Sequence, residues 1–291
     1  MHPNVSFLHH YAAIPLARRG LAVFATDSRY AGSDAALLMP NVTLDLGAAL
    51  EAMRERFERV VLLGNSGGGA LSAWHLAEHP GAAQALILLN AHRGRAQVLT
   101  DWLDPLVPEL SIFDARNGPP FGAGFVGRYR EAQQRRNRRI SAWARSQLPV
   151  KDEAFVVAKT AADPRMLDLT LDPSDRAVGT YQGPDVRAYN EAPAGLARFT
   201  TCRSWLSQWS LDDSVAAAEP SLARCRVPAL VIQGTADQGI YPSDAQALFE
   251  AIATDDKELH WIKGGSHYFV GQPYLQEQVF DLLQSWLDGQ T

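Results

Sequence analysis

The chain is constrained most by one glycine-rich stretch, Gly64-Asn65-Ser66-Gly67-Gly68. Four consecutive large apolar residues at 60–63 precede it, which is typical of a buried parallel strand, and a helical segment over 70–79 follows. So sharp a corner requires residues without side chains two positions either side of the serine, which itself tends to be strained. The pattern predicts a strand–turn–helix corner that exposes the Ser66 hydroxyl above a sheet, close to a helix N-terminus.

Strand and helix patterns alternate on both sides of this corner. Strands are predicted at 21–25, 60–63, 85–89, 229–232 and 259–262, and helices at 10–19, 44–57, 70–79, 243–252 and 276–287. We expect the helix at 10–19 to end at Gly20, and the helix at 243–252 to begin with a capping box of Ser243 and Gln246. Such alternation predicts an α/β fold, a mostly parallel sheet flanked by helices, with its chemistry at the C-terminal strand ends.

The alternation breaks over residues 95–218, which are rich in proline, glycine and tryptophan. Because this segment is inserted at the edge where the chemistry is expected, it predicts a helical cap over a core of 1–94 and 219–291. Its arginine-rich stretch at 128–145 has two interpretations, a solvated helix face or a site for an anionic substrate or a CoA tail. Its tryptophans would either line a pocket under the cap or pack in a core.

Composition narrows the functional class. A hydrophobic fraction of 46% in 291 residues is ample for a core, and a net charge of −5 argues against nucleic-acid binding. The two cysteines form no disulfide framework, and no spacing indicates a metal site or a cofactor. Without a leader pattern or an apolar run of roughly 20 residues, we expect a cytoplasmic protein, not bound to membranes, that acts on a small-molecule substrate. Oligomeric state has no signature in the sequence.

Two more polar residues follow predicted strands, as Ser66 does. Asp237 comes after the strand at 229–232, and His267 comes after the strand at 259–262. A serine hydroxyl is a weak nucleophile unless a base takes its proton, and a carboxylate must orient that base. Each residue also has a plainer interpretation: Ser66 as a small residue in a tight turn, Asp237 as an aspartate that suits a turn, and His267 as a loop histidine. The alternative acids, Asp212 and Asp213, precede a strand instead of following one.

With these residues the chain resembles the α/β-hydrolase superfamily. The motifs that carry the resemblance are Gly64-x-Ser66-x-Gly68, the turn Gly234-Thr235-Ala236-Asp237 with Pro242 beyond it, and Gly265-Ser266-His267. The resemblance covers about 1–94 and 219–291, and it implies a Ser66–His267–Asp237 triad. It also implies an oxyanion hole made by the backbone N–H groups of Gly67 and Asn4.

Two further residues are candidates for contact with the substrate. His92 ends the strand beside the corner, and Asn65 directly precedes the serine. An ordinary loop histidine is the alternative interpretation of His92.

The chain departs from this superfamily in two places. His2-Pro3 stands where a His-Gly pair is usual, and the strand that should precede this pair in the sequence is absent. In the superfamily's sheet, that strand lies between the strand at 21–25 and the strand at 60–63. We hypothesise that Met1 is an internal start, which mass spectrometry of the native N-terminus would test; alternatively, residues 2–8 pair in the gap. The second departure is Gly67, where many relatives carry a larger side chain.

The leading hypothesis is a serine hydrolase that cleaves an ester or related acyl compound. A carbon–carbon bond hydrolase, a cofactor-free perhydrolase and a non-catalytic binding protein on the same fold are alternatives. A dehalogenase is disfavoured because it uses a carboxylate where Ser66 stands. A dinucleotide-binding turn is also disfavoured, because its fingerprint needs glycine at Ser66 and an acidic residue roughly 20 residues on.

Overall fold

A four-stranded parallel sheet forms the centre of the computed structural model, which describes residues 1–290. The strands in chain order are β1 (Val61–Asn65), β2 (Ala85–Leu89), β3 (Ala154–Val156), β4 (Phe199–Thr201), β5 (Ala229–Gly234) and β6 (Lys257–Ile262). The parallel sheet has the order β1-β2-β5-β6, whereas β3 and β4 form a separate antiparallel pair. The mostly parallel sheet predicted from the sequence is therefore confirmed.

Helices cover both faces of this sheet. They are α1 (Ala13–Arg18), α2 (Met39–Arg54), α3 (Gly67–Glu78), α4 (Arg95–Trp102), α5 (Ala123–Gln147), α6 (Val186–Glu191), α7 (Cys202–Gln208), α8 (Ala218–Leu222), α9 (Pro242–Ala251) and α10 (Pro273–Gly289). Because side chains alternate along a strand, Leu86 and Leu88 pack toward α2 and α3 while Ile87 and Leu89 pack toward α10. None of the helices within residues 1–290 is both long and apolar enough to cross a membrane.

The first predicted strand is wrong. Residues 21–25 have no strand partner, and a groove of about 510 Å³ lies between them and the outer edge of β1. Apolar composition favours an extended chain, but a strand exists only where a neighbour supplies its hydrogen bonds. Val23 and Phe24 remain half exposed.

The alternative that residues 2–8 pair beside β1 is also wrong. These residues form bends and a turn, with no strand. The loop that follows 21–25 holds them instead: the Phe7 N–H donates to Asp27 Oδ1 at 2.7 Å, and the Ser28 hydroxyl donates to the Pro3 carbonyl at 2.6 Å. His2 and Asn4 are thereby fixed beside the serine corner.

Helix boundaries differ from the predicted ones for local reasons. The helix predicted at 44–57 begins earlier, at Met39, because Pro40 suits the first turn and the Ser207 hydroxyl accepts from the Met39 N–H at 2.8 Å. Gly20, with φ of 87°, follows α1 as expected. The capping box is shifted: Asp244, not the predicted pair of Ser243 and Gln246, accepts the N–H of Tyr241 at 3.0 Å.

The 95–218 segment has small hydrophobic clusters of its own. Trp205 and Trp209 are buried in one of them, whereas Trp143 is 41% exposed. The arginine-rich stretch lies within α5, where Arg128, Arg135, Arg138 and Arg139 are exposed, Arg130 is half-buried and Arg136 is buried. Assignment of this segment as a cap stays a prediction.

A buried ion network joins the 95–218 segment to the core. Asp163 is fully buried and accepts from Arg130 and Arg165 at 2.7 and 2.8 Å. The guanidinium of Arg165 also lies 4.0 Å above the ring of Tyr241 and 3.7 Å from the carboxylate of Asp244, at the start of α9. Breaking this network is expected to loosen the segment from the core.

Asp163→Asn is expected to lower the free energy of unfolding by about 3–5 kcal/mol, because it leaves buried guanidinium groups without their nearest carboxylate. Burial alone would raise the pKa of Asp163, but Arg130 and Arg165 outweigh it and hold that pKa at about 2. The carboxylate therefore stabilises the fold above the unfolded-state pKa of about 3.9, and this stabilisation is lost as the pH falls toward 2.

Urea denaturation at pH 7 and at stepwise lower pH measures both effects. Asp212→Asn is the matched control, because Asp212 forms an exposed ion pair with Arg138 at 3.3 Å, a kind of pair usually worth about 0–1 kcal/mol. Equal losses of unfolding free energy in Asp163→Asn and Asp212→Asn would contradict the stabilising role given to the buried Asp163 network.

Candidate active site

The serine corner has the strained geometry that its sequence predicts. Ser66 joins β1 to α3 with φ of 53° and ψ of −124°, a conformation that non-glycine residues rarely adopt. A Cβ at Gly64 would lie 2.6 Å from the carbonyl oxygen of Gly68, so a side chain there would force the corner open. The local sequence therefore produces the sharp turn and presents the serine hydroxyl at the C-terminal edge of the sheet.

Ser66, His267 and Asp237 form one continuous chain of hydrogen bonds. His267 Nε2 lies 3.1 Å from Ser66 Oγ, and His267 Nδ1 lies 2.7 Å from Asp237 Oδ2. All three side chains are more than nine-tenths buried. Because the sheet is parallel, strand ends far apart in the sequence meet at one edge, and the three residues meet there.

The carboxylate of Asp237 fixes the tautomer of the histidine. Its Oδ1 accepts the backbone N–H groups of Gly239 and Ile240 at 2.8 and 3.0 Å, which leaves Oδ2 for His267. A carboxylate only accepts, so Nδ1 carries the proton and Nε2 is free to accept from the serine hydroxyl. The alternative acids lie elsewhere: Asp212 pairs with Arg138, and Asp213 pairs with Arg145.

Three residues next to the Ser66–His267–Asp237 hydrogen bonds were not predicted as site residues from the sequence. Asn90, with φ of 42°, accepts from the Gly234 N–H at 2.7 Å and donates to the His267 carbonyl at 2.8 Å, so it ties two strand ends to the histidine loop. Tyr181 stacks on the His267 ring at 5.6 Å. Tyr268 lines the same cavity, and its ring lies edge-on to that of His267 with the centroids 4.3 Å apart. Only Asn90 had a sequence signal, its place at a strand end.

A cavity of about 180 Å³ opens onto Ser66 and His267. Both halves of the core and the 95–218 segment contribute to its wall. The lining residues are His2, Asn4, Val5, Asp34, Ser66, His92, Arg95, Val98, Trp102, Tyr181, Leu196, Trp209, Gly239, Ile240, His267 and Tyr268. None of the arginines from 128 to 139 lines it.

The two oxyanion donors expected from the sequence differ in the structure. Gly67 opens α3, and the first N–H groups of a helix have no intrahelical acceptor, so its N–H is available beside Ser66. Asn4 lines the cavity, but its N–H donates to His2 Nδ1 at 3.2 Å and its side chain accepts from Arg95 at 2.8 Å. We correct the prediction that the Asn4 N–H is the second donor, because the His2 ring already uses it.

The two predicted substrate contacts also separate. His92 lines the cavity, and its Nδ1 accepts from the Gly94 N–H at 3.1 Å. Asn65 does not line it: its amide donates to the Leu89 carbonyl at 2.7 Å and its Oδ1 contacts His10 Nε2 at 3.0 Å. The prediction for Asn65 is therefore corrected, because its polar atoms fasten β1 to its neighbours.

A buried arginine adds positive charge at the cavity wall. Arg95 pairs with Asp34 at 2.5 Å and lies 4.1 Å above the ring of Trp209. Burial lowers the pKa of its guanidinium, while the charge of Asp34 opposes that decrease. Asp34 lines the same cavity, so the ion pair places both charges at the wall.

Comparison with known families agrees with this geometry. The model of the family Hydrolase_4, described as serine aminopeptidase, S33, matches residues 2–273. The chain belongs to the Hydrolase_4 family. The expected α/β-hydrolase resemblance is thereby confirmed over almost the whole chain.

Proteins similar to this Hydrolase_4 chain include monoglyceride lipase from Homo sapiens, which is 28% identical over 128 residues. Those residues are 43% of this chain and 40% of the relative. The match thus spans well under half of that relative's length. Two solved structures share the fold. A monoacylglycerol lipase from Paleococcus ferrophilus has a TM-score of 0.57 at 17% identity, covering 100% of this chain and 92% of its own. An alpha/beta hydrolase from Penicillium sp. sh18 has a TM-score of 0.56 at 14% identity, and the match covers 98% of this chain and 85% of that protein.

Proposed function

We propose that this Hydrolase_4 protein is a serine hydrolase that cleaves an ester or related acyl substrate through an acyl-enzyme. The observation that carries the proposal is the unbroken hydrogen-bond chain Ser66–His267–Asp237 at the wall of a cavity. Family membership supports the same chemistry.

The geometry supports a two-step reaction. Ser66 Oγ attacks the substrate carbonyl carbon, its proton passes to His267 Nε2, and the carbonyl electron pair moves onto oxygen. The tetrahedral intermediate then collapses, the C–O bond to the leaving group breaks, and His267 returns the proton to the departing alkoxide. Water repeats the sequence on the acyl-enzyme and releases the acid. The negative charge of Asp237 stabilises the imidazolium, and two backbone N–H groups on its second oxygen hold the carboxylate in place.

The cavity favours small substrates with an apolar portion. Its volume is about 180 Å³, and Val98, Trp102 and Leu196 from the 95–218 segment form apolar wall. We propose that this segment acts as a cap that selects the acyl or alcohol group. The similar human protein is named a monoglyceride lipase, which makes short glycerol esters reasonable first substrates to assay.

A fluorophosphonate probe tests the proposal. We expect the wild-type protein to be labelled at one residue, Ser66, and to hydrolyse p-nitrophenyl esters with a preference for short acyl chains. Ser66→Ala should not be labelled. A wild-type protein that is folded but neither labelled nor active on any ester of the series would contradict the proposed function.

A further inference from the structure

Two histidines outside the proposed triad converge on the residue after Ser66. A Cβ built on Gly67 would lie 2.5 Å from His2 Nε2 and 3.1 Å from His92 Nε2. Both rings line the cavity that holds Ser66. They occupy the space that a side chain at position 67 would need, which explains why this chain has glycine there.

Backbone groups fix the tautomer of both rings. His2 Nδ1 accepts the N–H groups of Asn4 and Val5 at 3.2 and 3.0 Å, and His92 Nδ1 accepts that of Gly94 at 3.1 Å. A neutral imidazole that accepts at Nδ1 carries its proton at Nε2. Both rings therefore present an N–H at Nε2, next to Gly67 and at the cavity wall, and neither Nε2 donates to another residue within 1–290.

The surroundings keep both rings neutral. His2 is 6% exposed and His92 is 8% exposed. Burial lowers the pKa of His92 to about 3 and that of His2 well below its usual value, and the charge of Arg95 lowers both further. A neutral ring with one fixed proton is a donor of defined direction, whereas a second positive charge would be costly beside Arg95.

We propose that the Nε2–H groups of His2 and His92 donate hydrogen bonds to the substrate oxyanion, together with the backbone N–H of Gly67. The inference rests on the proposed function, because the oxyanion forms only if Ser66 attacks a carbonyl. It supplies the donor that is missing since the Asn4 N–H is bound by His2.

The arrangement suits an oxyanion for physical reasons. Both N–H groups lie at the cavity wall next to Gly67, so a negatively charged oxygen beside Gly67 would accept from both at once. Their positions are set before substrate binds, by the short loops 2–5 and 92–94, so little reorganisation is needed in the transition state. The charge of Arg95 adds to the same field.

Single variants measure the contribution of each ring. His2→Phe and His92→Phe keep a planar ring but remove the N–H, and each is expected to lower kcat by about 100-fold with little change in KM. His2→Gln and His92→Gln place an amide N–H near the original Nε2 and should recover part of the rate. His75→Phe is the matched control, because His75 is buried in α3 but does not line the cavity. A merely structural role predicts no recovery with glutamine.

Nuclear magnetic resonance on the full chain with ¹⁵N-labelled histidine separates this inference from the proposed function. A fluorophosphonate that labels Ser66 places a phosphonyl oxygen where the oxyanion would form. We expect the Nε2–H protons of His2 and His92 to move downfield in the adduct, while the resonances of His75 stay in place. A labelled Ser66 with unmoved His2 and His92 protons would overturn the inference alone. A Ser66 that takes no label would overturn the proposed function and the inference with it.

Discussion

Ser66→Ala is expected to lower kcat for ester hydrolysis by about 10⁶-fold, to the residual rate that the oxyanion donors and substrate binding still provide. In the proposed mechanism, the Ser66 hydroxyl is the only group of the triad that forms a bond to the acyl carbon, and a methyl group at this position offers no nucleophile. Steady-state assays with a p-nitrophenyl ester, at enzyme concentrations high enough to detect the residual rate, measure the loss.

Ser72→Ala is the matched control for this variant. Ser72 lies on α3, the helix that follows Ser66, and is buried like Ser66, but it does not line the cavity. Its rate should stay near that of the wild type. A Ser66→Ala protein that keeps more than a small fraction of wild-type kcat would mean that another residue is the nucleophile.

Asp237→Asn is expected to lower kcat by about 10⁴-fold while leaving the fold intact. An amide in place of the carboxylate no longer requires the proton on His267 Nδ1, so Nε2 loses its role as an acceptor for the serine hydroxyl. It also removes the negative charge that stabilises the imidazolium. Kinetics of the purified variant, with circular dichroism as a check on folding, measure both points.

Asp213→Asn serves as the control among the alternative acids. Asp213 pairs with Arg145 and accepts from the Ser210 hydroxyl on the 95–218 segment, away from His267. Its substitution should leave kcat almost unchanged. A large loss with Asp213→Asn and none with Asp237→Asn would reverse the assignment of the acid.

The sequence was sufficient to predict the features that depend on a local residue pattern or on the geometry of a parallel sheet. The glycines around Ser66 predict its strained turn, and the order of strand ends brings Asp237 and His267 to the same edge. Features that depend on a partner were not accessible in this way. Residues 21–25 have the composition of a strand but no neighbour, and they stay unpaired across a groove from β1.

The donors at the site illustrate the same limit. The resemblance implies an oxyanion donor at the Asn4 N–H, but the turn of residues 2–5 directs that N–H to the His2 ring. Asn65 adjoins the nucleophile in sequence, yet its side chain points into the sheet and binds the Leu89 carbonyl. Position along the chain identifies a neighbour of the site, whereas only the fold decides which polar atoms remain free.

The central claim, an acyl-enzyme on Ser66, is tested most directly by stopped-flow mixing with a p-nitrophenyl ester followed by acid quench and peptide mass spectrometry. We predict a burst of p-nitrophenol close to one equivalent per protein chain, and an acyl group on the peptide that contains Ser66. Turnover without any burst and without an acylated peptide, or an acyl group carried by a different residue, would contradict this account.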